Sequence, residues 1–123
     1  MTLLAVPNIS EGRDPVAIAA IAAAFSRRGA RLLDVHSDPD HHRSVFTLAG
    51  GPGELAYAAL DGARETLERI NVQEHSGRHP RVGAIDVAPI VYLDYADRGA
   101  ACVEALVLAD LLGAELELPV FLY

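Results

Sequence analysis

The apolar residues change their spacing several times within 123 residues, and that changing period is the strongest constraint on the fold. Leu3-Leu4-Ala5-Val6 is a short continuous apolar run halted by Pro7, the pattern of a buried strand entering a turn. Asp14-Pro15 then supplies an N-cap and a proline at the first helical position. Ile18, Ile21, Ala22 and Phe25 recur at helical spacing, and Gly29 stands where a helix C′ residue is expected. Residues 31–35 and 44–50 read as two further strands, a hairpin with a long charged tip from His36 to Arg43. Gly51-Pro52-Gly53 breaks the second of them, and Leu55, Ala59, Ala63, Leu67 and Ile70 mark a helix running to about residue 71.

Residues 75–83 have no period at all and read as a loop. Residues 84–93 form a fourth strand, and Pro89 inside it points to an edge position or a bulge, because proline cannot donate to a central ladder. A third helix from about residue 97 to 112 ends at Gly113, and residues 119–123 read as a last strand. Two βαβ-like units, each with one helix on one face of a sheet, predict an α/β two-layer sandwich of the ferredoxin-like kind. It would be of βαββα type with an extra helix and strand, built as one domain over residues 1–123.

Composition narrows the class. The chain is 51% hydrophobic and 22% charged, too apolar for disorder. Seventeen acids against ten Lys and Arg leave a net charge of −7, which denies a nucleic acid the basic field it needs. Cys102 is the only cysteine, so no internal disulfide forms and a reducing cytoplasm fits. No apolar run approaches the roughly 20 residues of a membrane span, and the N-terminus lacks the basic and apolar regions of a signal peptide. The expectation is a soluble, untargeted protein.

The third helix is apolar most of the way round. Cys102, Ala105, Leu106 and Ala109 read as its core side, with Cys102 an inert core residue, and Val103, Val107, Leu108 and Leu111 as a second apolar face. An apolar face left over after the core is built predicts a homodimer through this helix.

Three segments carry residue types with chemistry. His75-Ser76-Gly77-Arg78-His79-Pro80-Arg81 gathers two histidines and two arginines around a glycine, suited to a small carboxylate ligand, with a solvated surface loop as the alternative. His79, flanked by arginines that disfavour the imidazolium, is suited to accept a proton. The tip with His36, Asp38, Asp40, His41, His42 and Arg43 has metal-ligand types but no ligand spacing, and is expected to hold no metal; a metal-dependent hydrolase using His36, His41 and His42 is the alternative. Asn8, Ser10 and Glu11 either cap the backbone before the first helix or face a ligand. Asp86, inside an apolar strand, needs a partner. Gly50 to Gly53 lacks the Lys-Ser/Thr of a phosphate loop and reads as a turn.

Four segments in order, Val6-Pro7-Asn8-Ile9-Ser10-Glu11-Gly12-Arg13, Leu32-Leu33-Asp34-Val35, Arg43-Ser44-Val45-Phe46-Thr47 and His79-Pro80-Arg81-Val82-Gly83-Ala84-Ile85-Asp86-Val87, resemble the N-terminal half of the glutamate formimidoyltransferase family. The likeness extends to Pro119-Val120-Phe121-Leu122-Tyr123. It implies a ferredoxin-like half-domain and transfer of a formimidoyl group from N-formimidoyl-L-glutamate to N5 of tetrahydrofolate, in histidine breakdown. Tetrahydrofolate would be a co-substrate, with no metal. The family's catalytic acid/base falls on His79, and Asn8, Arg43, Arg78 and Arg81 are the expected substrate contacts. The family commonly carries an acidic residue where this chain has His36. Its transferase also has a second half of similar fold, with folate between the halves. The resemblance thus implies that the first half runs on past residue 123 and needs a second half-domain. The alternative from another class is a non-catalytic homodimerising module of the same fold.

Overall fold

The computed structural model describes residues 1–73 and 84–123. Strand β1 (Leu3–Ala5) and strand β2 (Asn8–Ile9) are two pieces of one extended segment, interrupted at Val6-Pro7. Pro7 has no N–H to donate, but its carbonyl accepts the Phe46 N–H at 3.0 Å, so the ladder resumes beyond it. Helix α1 (Pro15–Phe25) begins where Asp14 accepts the Val16 and Ala17 N–H groups at 3.0 and 3.3 Å. It ends at Phe25 with Ser26 as the C-cap, earlier than the position of Gly29 suggests; Gly29 instead takes a left-handed φ of 89° in the turn that follows.

Strands β3 (Arg31–Asp38) and β4 (Arg43–Gly50) make the hairpin, with all but residues 39–42 of its charged stretch inside the strands. The long tip expected from the sequence is therefore a short one, because His36, Ser37, Asp38 and Arg43 continue the ladder. Helix α2 (Glu54–Gln73) follows, then strands β5 (Ile85–Val87) and β6 (Ile90–Tyr92), broken at Ala88-Pro89. Pro89 thus sits at an interruption in an edge strand, and its carbonyl accepts the Val6 N–H at 3.0 Å.

All pairings are antiparallel, and the order across the sheet is β3, β4, then β1 with β2, then β6 with β5. The helices cover one face only. Ser44, Phe46 and Leu48 of β4 point into that layer, where Phe46 meets Phe25 with ring centroids 4.9 Å apart. The stripe read from α2 is the packed one: Leu55, Ala59, Ala63, Leu67 and Ile70 are all buried. Gly62 lies flat against the Phe25 ring, where a Cβ would collide with it.

Helix α3 (Arg98–Leu116) runs through Gly113 and stops at a left-handed Glu117. Its packed side is Ala101, Glu104, Leu108, Leu112 and Leu116, with Val107 and Leu111 at the margin, while Cys102, Val103 and Leu106 are exposed. The two sides are thus the reverse of the sequence reading for Leu108, Leu106 and Cys102. A helix apolar all round carries no period to tell them apart. Residues 119–123 form no strand: they pass α3 and help enclose a largely apolar cavity of about 580 Å³ lined also by Ile90, Leu108 and Leu112. Among the described residues no helix is long and apolar enough to cross a membrane.

Candidate functional site

Because the helices take one face of the sheet, strand alternation sends every second side chain to the other, open face. On β4 these are Arg43, Val45 and Thr47. Residues directly paired across a ladder share a face, so the register His36, Val45, Asn8 and Val87 forms one row across β3, β4, β2 and β5. Val45 is the floor between the two polar groups of that row.

Asn8 donates its side-chain N–H to the Val6 carbonyl at 3.0 Å, spanning the Pro7 interruption. The Arg43 guanidinium lies 3.5 Å from the Asp86 carboxylate, and both side chains are about half exposed. Asp86 therefore has a partner, as a carboxylate in an apolar strand requires, but on the solvent side and from another strand. The contact is a single Nη2 to Oδ2 approach, which, among the described residues, leaves most of the Arg43 donor fork open.

The turn after β2 is fastened to the hairpin tip. Glu11, fully buried, accepts the Arg13 and Asp14 N–H groups at 3.0 and 3.1 Å, so it organises the helix entry while Asp14 does the capping. Gly12 donates its N–H to His42 Nδ1 at 3.2 Å. A Cβ on Gly12 would overlap the Arg43 and Asp38 backbones, so glycine is required by close approach. Ser44 donates its hydroxyl hydrogen to the Glu11 carbonyl, and the Arg13 Nε–H reaches the Pro39 carbonyl at 2.9 Å. These contacts fix Arg43 relative to Asn8.

The histidines of the hairpin do separate things. His41 Nδ1 lies 2.6 Å from Asp38 Oδ2, and that hydrogen bond holds the Asp38 carboxyl below its ordinary value. His42 turns inward to Gly12 and lies 3.6 Å from the Glu11 carboxylate. His36 stands on the open face. Among the described residues no group of three His, Cys, Asp or Glu side chains is placed to hold a metal ion, so the hydrolase alternative has no site there.

Of the predicted site residues, the sheet brings Asn8 and Arg43 to one face. His79, Arg78 and Arg81 lie outside the described residues. The described chain resumes at Ala84, whose carbonyl accepts the Ser10 N–H at 2.9 Å, beside the same turn.

One functional group of the architecture escapes the sequence reading. Glu104 on α3 is 2% exposed and accepts the N–H groups of Gly53, at 2.7 and 3.0 Å, and Ala56, at 2.7 Å. It caps α2 from another helix. The available signal was the lack of any Ser, Thr, Asp or Asn in Gly50-Gly51-Pro52-Gly53, which left α2 without a side-chain cap of its own.

An antiparallel sheet with helices on one face and an Asn, Arg and Asp set on the other defines a class that comparison with known proteins makes explicit. Residues 2–123 match the family model described as formiminotransferase domain, N-terminal subdomain, and the chain belongs to that family. Formimidoyltransferase-cyclodeaminase of Sus scrofa is 39% identical over 121 residues, which cover 96% of this chain and 22% of that protein. Glutamate formimidoyltransferase of Streptococcus pyogenes serotype M1 is 40% identical over 121 residues, covering 96% of this chain and 40% of the relative. The enzyme of the same name from Thermoplasma acidophilum is 40% identical over 119 residues, with 96% and 39% covered. The chain thus spans between about a fifth and two fifths of the length of these relatives.

Proposed function

We propose that this chain is the N-terminal catalytic portion of a glutamate formimidoyltransferase, moving the formimidoyl group of N-formimidoyl-L-glutamate to N5 of tetrahydrofolate. The observation that carries the reading is the family match over residues 2–123, joined to an open sheet face on which Asn8 and Arg43 stand together. In the reaction the N5 amine attacks the formimidoyl carbon and must lose a proton, and the departing glutamate nitrogen must gain one. His79 is assigned both transfers, base first and then acid, a role worth about 10² to 10⁴ in rate. Arg43, Arg78 and Arg81 are assigned the carboxylates of glutamate or of the folate tail, for which a guanidinium fork is the better partner. Asn8 contributes a polar contact beside them.

In this reading residues 1–123 form one ferredoxin-like unit. Support comes from joining β1 with β2 and β5 with β6 as interrupted single strands: the element order becomes βαββαβ and the spatial order fourth, first, third, second. The unit works in the cytoplasm with a second half-domain that helps hold tetrahydrofolate. It pairs with a second copy through Val103 and Leu106 of α3, apolar and more than half exposed; light scattering that returns the mass of one chain excludes the pairing.

The test is turnover of N-formimidoyl-L-glutamate with tetrahydrofolate, compared for this chain alone and for the longest product of its gene. Formation of 5-formimidoyltetrahydrofolate by the longer product is expected. Its absence there, with folded protein, removes the transferase reading and favours the non-catalytic module.

A further inference from the structure

His36 is the one ring on the open face that the contacts described so far leave without a task. Among the described residues it makes no side-chain hydrogen bond or ion pair, whereas His41 is held by Asp38 and His42 by Gly12. It is exposed, it pairs with Val45, and Val45 pairs in turn with Asn8. Asp38, on the same face of β3, pairs with Arg43. His36 and Arg43 are therefore diagonal neighbours on one face, a relation that places Cβ atoms roughly 7 Å apart. Across β4, His36 and Asn8 are two strand spacings apart, roughly 10 Å.

A ligand lying over Val45 would meet Asn8 on one side, His36 on the other and the open fork of Arg43 below. The charges around this patch are Asp34 and Asp38 on β3, Arg43 on β4 and Asp86 on β5. Asp38 is engaged by His41, and Asp86 faces Arg43. Arg43 alone suits one carboxylate. Two donors a diagonal apart suit a small dicarboxylate, whose two anionic groups sit at the ends of a short carbon chain.

We propose that His36 is a substrate-binding residue, donating a ring N–H to the side-chain (γ) carboxylate of a dicarboxylate whose α-carboxylate is held by Arg43. The pair reads the presence of both carboxylates, so it sets specificity for a glutamate derivative over its amide. This rests on the transferase reading for the identity of the ligand, while the division of labour rests on the register of β3, β4 and β2.

The experiment is calorimetric titration of the protein with N-formimidoyl-L-glutamate and with its γ-amide, the glutamine derivative. Wild type is expected to prefer the dicarboxylate. His36→Leu should weaken the dicarboxylate about tenfold, within the range of a hydrogen bond to a charged group, and leave the amide nearly unchanged, erasing the preference. His36→Gln, which keeps an N–H donor on a chain of similar reach, should restore most of it. Undiminished preference in His36→Leu, with Arg43→Ala weakening both ligands, overturns the role of His36 and leaves the site standing. Failure of wild type to bind either ligand, or indifference to Arg43→Ala, overturns the site reading and this inference with it.

Discussion

The two faces of one sheet solve opposite problems. On the helix side the buried polar side chains among the described residues are given partners inside the protein: Glu104 holds Gly53 and Ala56, Ser44 holds the Glu11 carbonyl, and Asp61, 3% exposed, takes Arg28 at 2.8 Å. On the open side the polar groups are spaced and loosely tied, with Arg43 and Asp86 in a single 3.5 Å contact, both half in water. Buried polar groups left without partners cost several kcal/mol, whereas exposed ion pairs are worth about 0 to 1 kcal/mol. The first face therefore carries stability, and the second is free to give up its contacts to a ligand.

The comparison breaks most easily at α3. Leu108→Asp should destabilise by about 4 kcal/mol or more, because it puts a carboxylate without a partner into the core. Leu106→Asp, two residues away on the exposed flank of the same helix, should leave the urea midpoint nearly in place and dissociate the proposed dimer. Equal loss of stability from both would mean that the exposed flank is packed after all. Next in size, Glu104→Ala should cost about 3 kcal/mol, since a charged acceptor is lost and the Ala56 N–H is left buried. A change under 1 kcal/mol in chemical denaturation would show that α2 does not depend on this cap.

How far the sequence could be read follows the same division. Where one face of an element is apolar and the other is not, the period is legible: Leu55, Ala59, Ala63, Leu67 and Ile70 of α2 and Ile21 and Phe25 of α1 are buried as their spacing requires. Asp14 at the helix start and Pro89 at a strand interruption were legible for local reasons, a missing N–H partner in one case and a missing N–H in the other. Where apolar residues surround the helix, as in α3, period says nothing, and Cys102 and Leu106 were assigned inward although they face out. Glu104 went unread, because its partners are 48 and 51 residues away in sequence. Asn8 and Arg43 were legible as motif residues, but their sharing of one face with His36 depends on register, which no local pattern encodes. Residues 119–123 read as a strand by composition, yet they join no ladder and line the cavity beside α3 instead.

On the open side the smallest effect concerns pH. Asp38 is held below its ordinary carboxyl value of 3.8 chiefly by the His41 hydrogen bond. A depressed folded-state value adds stability that is complete above the unfolded carboxylate range and is lost as pH falls through the folded value. His41→Ala should therefore cost a little stability at neutrality and none at the acid end, flattening the curve below about pH 4. A loss of equal size at both pH values would mean that His41 supports the hairpin by packing instead.

The account depends most on the division between a scaffold that holds its shape and a histidine that moves the proton. The direct measurement is kcat of formimidoyl transfer for His79→Ala beside wild type, in the longest product of the gene, with the denaturation midpoint recorded on the same samples. The account predicts kcat lower by about 10² or more and an unchanged midpoint. An unchanged kcat with the variant fully folded would contradict it.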